Sequence, residues 1–308
     1  MIEAKNGERM VSVMEIERFA IHDGPGIRTV IFMQGCPLTC TWCSNPESQK
    51  IHAHLLYYKN RCVGCGKCSQ TCSRGVITIK DESPVFDRSR CVACQACASV
   101  CPASAITFAG KRMSVSEIMS VVKRDNAYYK QSGGGITFSG GEAFVQFDAL
   151  MELLADSRKE GIHTAIETCG QVDLSKIEKA SPLVDLFLFD IKHADKEMLK
   201  KYTGAGLNTI LTNLSYLSEK YPEKIVVRIP VIPGFNYTTE DIQGIFSLAV
   251  ERNLTNVHLL PYHMLGKDKY EQLGLTYSYP YDKMLTKEEL FPLKKTGEEM
   301  GLQVQIGG

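Results

Sequence analysis

Three cysteines, Cys36, Cys40 and Cys43, are separated by three residues and then by two. A thiolate triad this tight can grip one face of an iron–sulfur cube, and a four-iron cluster normally takes four cysteine ligands. With no fourth cysteine in the stretch, one iron keeps an open coordination position, where chemistry rather than storage takes place. Two plainer readings compete: a structural zinc site, and cysteines packed as small hydrophobes. Structural zinc is usually closed by four ligands, and the triad lacks a second pair.

A second cysteine pattern occurs twice. Cys62, Cys65, Cys68 and Cys72 form CxxCxxCxxxC, and Cys91, Cys94, Cys97 and Cys101 repeat it at an offset of 29 residues. The same offset aligns Ile77-Thr78-Ile79 with Ile106-Thr107-Phe108, so the repeat is a structural unit and not only a cysteine pattern. It resembles the bacterial two-cluster ferredoxin, in which the fourth cysteine of each run ligates the other cluster. That resemblance implies one cluster on Cys62, Cys65, Cys68 and Cys101, and another on Cys91, Cys94, Cys97 and Cys72. Pro102 follows Cys101 as the pattern expects, whereas Ser73 follows Cys72. A pair of zinc knuckles is the competing reading. The twelfth cysteine, Cys169, reads as a packed or shielded thiol.

The elements around these cysteines alternate. Residues 11–19 and 29–35 read as extended segments leading into the first cysteine loop. Ser114-Val115-Ser116-Glu117 is a capping box, and Val115, Ile118, Met119 and Val122 recur at helical spacing. Strands are expected at 135–139, 164–168, 183–191, 225–231 and 256–261, with helices between them. The near-continuous apolar run over 183–191 suits a parallel strand buried on both faces. Thr286 and Glu289 cap a last helix, and 302–306 is a final extended piece. Six strands counted from 29–35 argue for a parallel sheet with right-handed crossovers, too few to close an eight-fold barrel. Gly133-Gly134-Gly135 lacks the Gly-Lys-Ser/Thr of a P-loop and reads as a flexible entry to a strand.

In such a barrel, ligand-binding residues gather at the C-terminal ends of the strands. The cysteine loop follows the first strand and Gly140-Gly141-Glu142 the second. Glu167 and Thr168 end the third, and Asp190 and Lys192 the fourth; Arg228 lies in the fifth, and His263 follows the sixth. Taken singly, a Gly-Gly pair is often a turn, and a lone carboxylate or histidine is often a structural partner. Their joint placement points to one site.

The cysteine triad, with Trp42 before its last member, resembles the signature of the radical S-adenosylmethionine (SAM) enzymes. Asp23-Gly24-Pro25-Gly26-Ile27-Arg28-Thr29 before it and Ser44-Asn45-Pro46-Glu47 after it narrow the resemblance to the activating enzymes of glycyl radical enzymes, a group that includes pyruvate formate-lyase activase. The resemblance implies an α/β fold, a partial (β/α)6 radical SAM barrel with an inserted ferredoxin-like α+β domain. On that basis residues 1–57 (with a tail over 1–12) and 111–308 form the barrel, and 58–110 form the insert. It also implies three 4Fe-4S clusters, bound SAM, a glycyl radical enzyme as protein substrate and a flavodoxin- or ferredoxin-type electron donor.

Site roles follow from the same resemblance. Gly140-Gly141-Glu142 matches the motif that holds the methionyl amino group, its glycines admitting close approach; Ala143 stands where the family has proline. Asp190, Lys192 and His263 are similar to residues holding the carboxylate and ribose, and Arg228 to an arginine beside the cofactor. Glu167, Thr168 and Asp190, with the carbonyl near Leu188, match positions where pyruvate formate-lyase activase binds a monovalent cation; Glu167 replaces an aspartate there.

Bulk properties exclude other classes. A chain of 308 residues accommodates one large domain and a small one. Lysine plus arginine equal aspartate plus glutamate at 35 each, which leaves no electrostatic footprint for nucleic acid or acidic membrane. No apolar run approaches a membrane span, and residues 1–9 lack the apolar centre of a secretory signal. Eleven of twelve cysteines in dense clusters argue for metal rather than disulfides, and so for the cytoplasm. Two rival functions stay open: a radical enzyme acting on a small molecule, and a non-catalytic iron–sulfur electron carrier. The second would leave the three-cysteine site and the strand-end constellation unexplained.

Overall fold

The computed structural model describes residues 8–308, so most of the tail expected over 1–12 lies outside the described residues. Strand β1 (Met10–Ala20) takes in the end of that tail and pairs antiparallel with β2 (Arg28–Met33). The cysteine-rich segment follows with β3 (His54–Tyr57), α1 (Lys67–Thr71), β4 (Ile77–Lys80), β5 (Ser83–Phe86), α2 (Ala96–Ser99) and β6 (Ile106–Ala109). Strand β7 (Lys111–Ser114) leads into α3 (Val115–Lys123) and α4 (Asn126–Ser132). Strands and helices then alternate: β8 (Gly135–Gly140), α5 (Phe147–Lys159), β9 (His163–Thr168), α6 (Leu174–Ala180), β10 (Leu186–Asp190), α7 (Lys196–Thr203) and α8 (Leu207–Lys220). The chain continues through β11 (Ile225–Val231), α9 (Thr239–Val250), β12 (Asn256–Pro261), α10 (Lys267–Gln272), α11 (Phe291–Glu299) and β13 (Gln303–Ile306).

One nine-stranded sheet runs β13-β12-β11-β10-β9-β8-β2-β1-β7. From β2 to β13 every neighbouring pair is parallel, whereas β1 pairs antiparallel with β2 and β7. The six expected strands form the centre, and two corrections apply at the margins. The final extended piece is a seventh parallel strand, β13, in register with β12. The other margin is antiparallel, where sequence reading foresaw no second sheet partner for the first segment. Strands β13 and β7 lie at the two ends of the strand order, so the barrel stays open.

Burial explains the parallel core. Phe187, Leu188 and Phe189 of β10, Ile136 and Phe138 of β8, and Val227 and Ile229 of β11 are essentially inaccessible. Each such side chain contributes about 1.5–3 kcal/mol of transfer free energy. Helix α3 starts with the expected reciprocal capping box between Ser114 and Glu117, and Thr286 and Glu289 exchange the same pair of bonds ahead of α11.

Within the triple glycine, Gly134 and Gly135 form a packed crossing, which corrects the expectation of flexibility there, whereas Gly133 faces open space. A Cβ on Gly134 would stand 1.8 Å from the Ile27 carbonyl oxygen, and one on Gly135 2.0 Å from that of His163. Gly135 admits the start of β9 and Gly134 the loop between β1 and β2, which Arg28 pins from inside the core. Its Nε donates to Thr137 Oγ1 at 2.6 Å, its Nη1 to the Pro25 carbonyl at 3.1 Å and its Nη2 to the Ile136 carbonyl at 2.5 Å. Burial pulls the Arg28 guanidinium down to about 10.

The cysteine-rich segment carries its repeat into the backbone. β3 and β5, α1 and α2, and β4 and β6 correspond at the offset of 29 residues. Left-handed φ values recur at the same offset, at Gly64 and Ala93, Gly66 and Gln95, Gly75 and Ser104. The copies exchange partners: β3 pairs with β6, and β4 with β5. Neither copy pairs its own two strands. The repeat therefore begins at His54, ahead of the expected boundary at 58, because the residues of β3 pair across to the end of the second copy. A small apolar core of Leu55, Val76, Ile77, Cys97 and Ile106 joins the two.

Candidate active site

The loop after β2 opens with Gly35 at φ 100°, where a Cβ would meet Ile51 and Val145 at 2.7 Å. From there Cys36, Cys40 and Cys43 enter one wall of a cavity of about 660 Å³ at the C-terminal ends of the parallel strands. Burial pushes the Cys36 and Cys40 thiols up to about 12 and raises that of Cys43, while the Lys192 ammonium draws all three down. Metal must therefore displace protons from these sulfurs, with Lys192 assisting as the nearby cation.

The strands supply the other walls. Gly140 ends β8 and Gly141 follows it, Glu167 and Thr168 end β9, and Asp190 ends β10 with Lys192 just beyond. Arg228 of β11 and His263 after β12 complete the set. The register places Arg228 opposite Asp190 on the adjacent strand. Arg228 Nη2 lies 2.9 Å from Glu167 Oε1, Arg228 Nε lies 3.8 Å from Asp190 Oδ1, and Lys192 Nζ lies 2.7 Å from Asp190 Oδ2. Ser139 Oγ donates to Glu167. Burial raises the Glu167 carboxyl, with Arg228 opposing, and lowers the His263 imidazole. The Lys192 ammonium is held above its usual range by Asp190 and by Cys40, against burial.

Gly140 is at φ 109°, and a Cβ there would meet the Met33 backbone at 2.4 Å; one on Gly141 would meet the Gly35 carbonyl at 2.3 Å. These two positions are glycine because β8 and the cysteine loop touch through their backbones.

Eleven of the twelve expected cavity residues outside the cysteine-rich segment share this cavity once the cysteines are joined with the glycines, carboxylates and cations, but Glu142 stands behind its wall. Fully buried, Glu142 Oε2 accepts from Thr168 Oγ1 at 2.9 Å, Cys169 N at 2.9 Å and Cys169 Sγ at 3.1 Å, and Oε1 accepts from Phe144 N at 3.3 Å. The expected direct contact from this carboxylate is thus corrected. Its place is a brace between the ends of β8 and β9, because the backbone donors there have no other partner. Cys169 is the shielded thiol expected, and it takes part in that brace.

Sequence reasoning missed the floor of the cavity. The β1–β2 loop departs from the N-terminal ends of the parallel strands, yet His22 and Asp23 line the same cavity. The Asp23 carbonyl accepts from Thr137 Oγ1 at 2.7 Å, midway along β8. Burial raises the Asp23 carboxyl, with Arg228 opposing. Lys269 was also missed; it lines the cavity and binds Glu47 at 2.6 Å and Asn45 at 2.8 Å. The Asp-Gly-Pro-Gly stretch was visible as a motif, but nothing local says that it folds inward.

The unsatisfied atoms show what fits. Asp190 Oδ1 and Arg228 Nε and Nη1 are buried without a hydrogen-bond partner. Orphaned groups of both signs on one wall suit a zwitterionic ligand carrying an ammonium and a carboxylate. Three thiols beside it suit a cluster with an open iron.

Comparison with known proteins agrees. The radical SAM superfamily profile matches residues 88–249, a 4Fe-4S single cluster domain matches 22–77, and a 4Fe-4S dicluster domain matches 61–105. The chain belongs to the radical SAM superfamily. It is similar to the (2S)-3-sulfopropanediol sulfolyase activating enzyme of Bilophila wadsworthia, 44% identical over 86% of this chain and 89% of that one. The choline trimethylamine-lyase activating enzyme of Oleidesulfovibrio alaskensis is 39% identical over 88% and 89%. The 4-hydroxyphenylacetate decarboxylase activating enzyme of Clostridioides difficile is 37% identical over 96% and 95%. Within the radical SAM superfamily the chain is thus a glycyl radical enzyme activating enzyme, dependent on SAM and 4Fe-4S chemistry. Among solved structures, Streptococcus suis SuiB bound to its precursor peptide aligns with a TM-score of 0.54 and 13% identity over 91% of this chain and 48% of that one, a likeness of fold. No described helix is long and apolar enough to cross a membrane.

Proposed function

We propose that this activating enzyme serves a glycyl radical lyase or decarboxylase of the kind served by the relatives named above, and that it works in the cytoplasm. One observation supports the underlying chemistry most strongly: Cys36, Cys40 and Cys43 share a cavity with Asp190 Oδ1 and with Nε and Nη1 of Arg228, buried atoms without a hydrogen-bond partner. When bound, the cluster supplies the electron that splits the sulfur–C5′ bond of SAM into methionine and a 5′-deoxyadenosyl radical, which takes hydrogen from a glycine α-carbon of the partner. Cys36, Cys40 and Cys43 hold that cluster. Gly140 and Gly141 admit the methionyl group closely; Asp190 takes its ammonium, and Lys192 and Arg228 its carboxylate. His263 would meet the ribose. The chain's own contribution is orientation and exclusion of water, and no acid–base pair is needed.

Residues 58–110, with β3, are proposed as a ferredoxin-like insert between barrel segments 1–57 and 111–308. A cavity lined by Cys62, Cys65, Cys68 and Cys101, and by no other cysteine, supports the crossed ligation of the first insert cluster. Cys91, Cys94, Cys97 and Cys72 are assigned the second, giving three clusters in all, fed by a flavodoxin- or ferredoxin-type donor. A monovalent cation beside Glu167, Thr168 and Asp190 belongs to the proposal; it would share those carboxylates with Arg228 and Lys192.

The test is anaerobic reconstitution with iron and sulfide, reduction, and addition of SAM beside a variant carrying alanine at Cys36, Cys40 and Cys43. The expected result is 5′-deoxyadenosine from the parent chain only, and a glycyl radical signal by electron paramagnetic resonance when a lyase or decarboxylase partner is added. Turnover of SAM without a radical on any such partner would favour a small-molecule substrate.

A further inference from the structure

The two copies of the cysteine repeat match in backbone but differ in chemistry at one half-buried position. Advancing Tyr57, the last residue of β3, by 29 residues gives Phe86, the last residue of β5. Their rings pack together with centroids 5.2 Å apart, both against the small core shared by the two copies. Tyr57 also lines the cavity of Cys62, Cys65, Cys68 and Cys101. Its hydroxyl is buried and has no hydrogen-bond partner in the protein. A buried phenol O–H without a partner in the chain is unfavourable and calls for an acceptor from outside it. Burial pushes the phenol up, Cys62 adds to that and Ser83 opposes it, so both are polar neighbours, neither in bonding geometry.

We propose that Tyr57 makes the two insert clusters inequivalent. Its O–H donates to sulfur of the cluster held by Cys62, Cys65, Cys68 and Cys101, and no hydroxyl stands at the matching position, Phe86, of the other copy. The inference rests on the two-cluster reading of the insert. Hydrogen bonds to cluster sulfurs are one of the levers that set the potential. A donor gains most when the cluster takes on negative charge, so Tyr57 raises the potential of its own cluster above that of the other. Electrons entering the insert then settle first on the cluster beside Tyr57. Among charged differences, Lys67 against Ala96 also favours the first cluster, while the exposed Glu82, which lines the same cavity and has Lys111 as its counterpart, opposes it. Lys67 is exposed, however, so salt screens it, whereas the buried hydroxyl is not screened.

The experiment uses the full chain with Cys36→Ala, Cys40→Ala and Cys43→Ala, so that only the insert clusters titrate. Reduction is followed by electron paramagnetic resonance at controlled potential in high salt. Two one-electron steps are expected. Tyr57→Phe, which keeps the ring contact, should lower the upper step alone, by threefold to tenfold in the oxidised-to-reduced ratio at fixed poise, or about 28–59 mV. Phe86→Tyr should raise the lower step. Two steps unmoved by Tyr57→Phe at an unchanged iron content of about eight per chain would overturn the role of Tyr57 while leaving the two-cluster reading intact. Iron near zero in the triple-alanine chain would instead overturn the two-cluster reading and the inference with it.

Discussion

Glu142 offers a sharp test, because the family motif assigns it to the ligand whereas the geometry assigns it to the frame. Its carboxylate accepts four bonds, from Thr168 Oγ1, Cys169 N, Cys169 Sγ and Phe144 N, and has no exposure. Glu142→Ala would leave two backbone amides buried without acceptors, at about 1–3 kcal/mol each. Relief of the desolvated carboxyl, which burial raises above its usual range, offsets part of this. The expected net loss of stability is about 2–4 kcal/mol. Glu142→Gln keeps an acceptor for Cys169 N but turns an amide N–H toward Phe144 N, so it should cost about 1–2 kcal/mol. As the carboxylate lies behind the cavity wall, Glu142→Gln should change SAM affinity by less than about threefold, under ~0.7 kcal/mol. Anaerobic urea unfolding gives the first quantity and equilibrium dialysis with SAM the second. A Glu142→Gln protein with an unchanged unfolding midpoint and SAM binding weakened tenfold would refute the reasoning, since the carboxylate would then touch the ligand.

Two further outcomes are expected. His54, at the start of β3 and stacked on His52 at 4.2 Å, is lowered to about 4, first by burial and then by His52. The unfolded chain therefore takes up a proton near pH 6.5 that the folded chain refuses until about pH 4, and stability falls as pH drops through that window; after discounting for partial exposure the loss is on the order of 1–2 kcal/mol. Urea midpoints of parent and His54→Phe between pH 7 and 5 should diverge accordingly, and parallel curves would exclude the mechanism. Arg28→Met should destabilise by about 2–4 kcal/mol, because three carbonyl or hydroxyl acceptors lose a charged donor. The same change should speed hydrogen exchange in residues 21–27; protection equal to that of the parent would show that the glycine crossing alone holds the loop.

Much of this was legible because the signals are local. Cysteines at short fixed spacings are a local signal, so Cys36, Cys40 and Cys43 and the two repeats stand out in the chain. Parallel strands buried on both faces, such as 186–190, need unbroken apolar runs and show equally well. What could not be read depends on distant partners. The antiparallel margin of β1 and β7 exists because the chain returns from the cysteine-rich segment at Gly110, beside Gln34. The exchange of strands between the copies leaves no trace in the spacing, since either pairing satisfies the same alternation. The direction of Glu142 was hidden for a similar reason: a carboxylate at a strand end can face ligand or neighbour, and here the amides of Phe144 and Cys169 decide.

The cysteine-rich segment and the cavity are held together by one short helix. Arg88, in the second copy, donates to the Leu55 carbonyl of β3 and, at 2.9 Å, to the Gln272 carbonyl at the end of α10. From the same helix Tyr270 Oη donates to the Cys43 carbonyl at 3.0 Å, and Lys269 binds Glu47 and Asn45. Gly266, just before it, is pressed against the Ser44 backbone, where a Cβ would stand 2.4 Å from the carbonyl oxygen. Turning the segment against the cysteine loop would break charged hydrogen bonds worth about 1.5–3 kcal/mol each, and would do so at both ends of α10. The distance between the repeat and the Cys36, Cys40 and Cys43 loop is therefore set by side chains outside every cysteine motif. A fixed spacing is what the proposed passage of electrons from the insert to the loop would require. It also explains why Ser44-Asn45-Pro46-Glu47 belongs with the triad: these residues are the surface on which α10 seats.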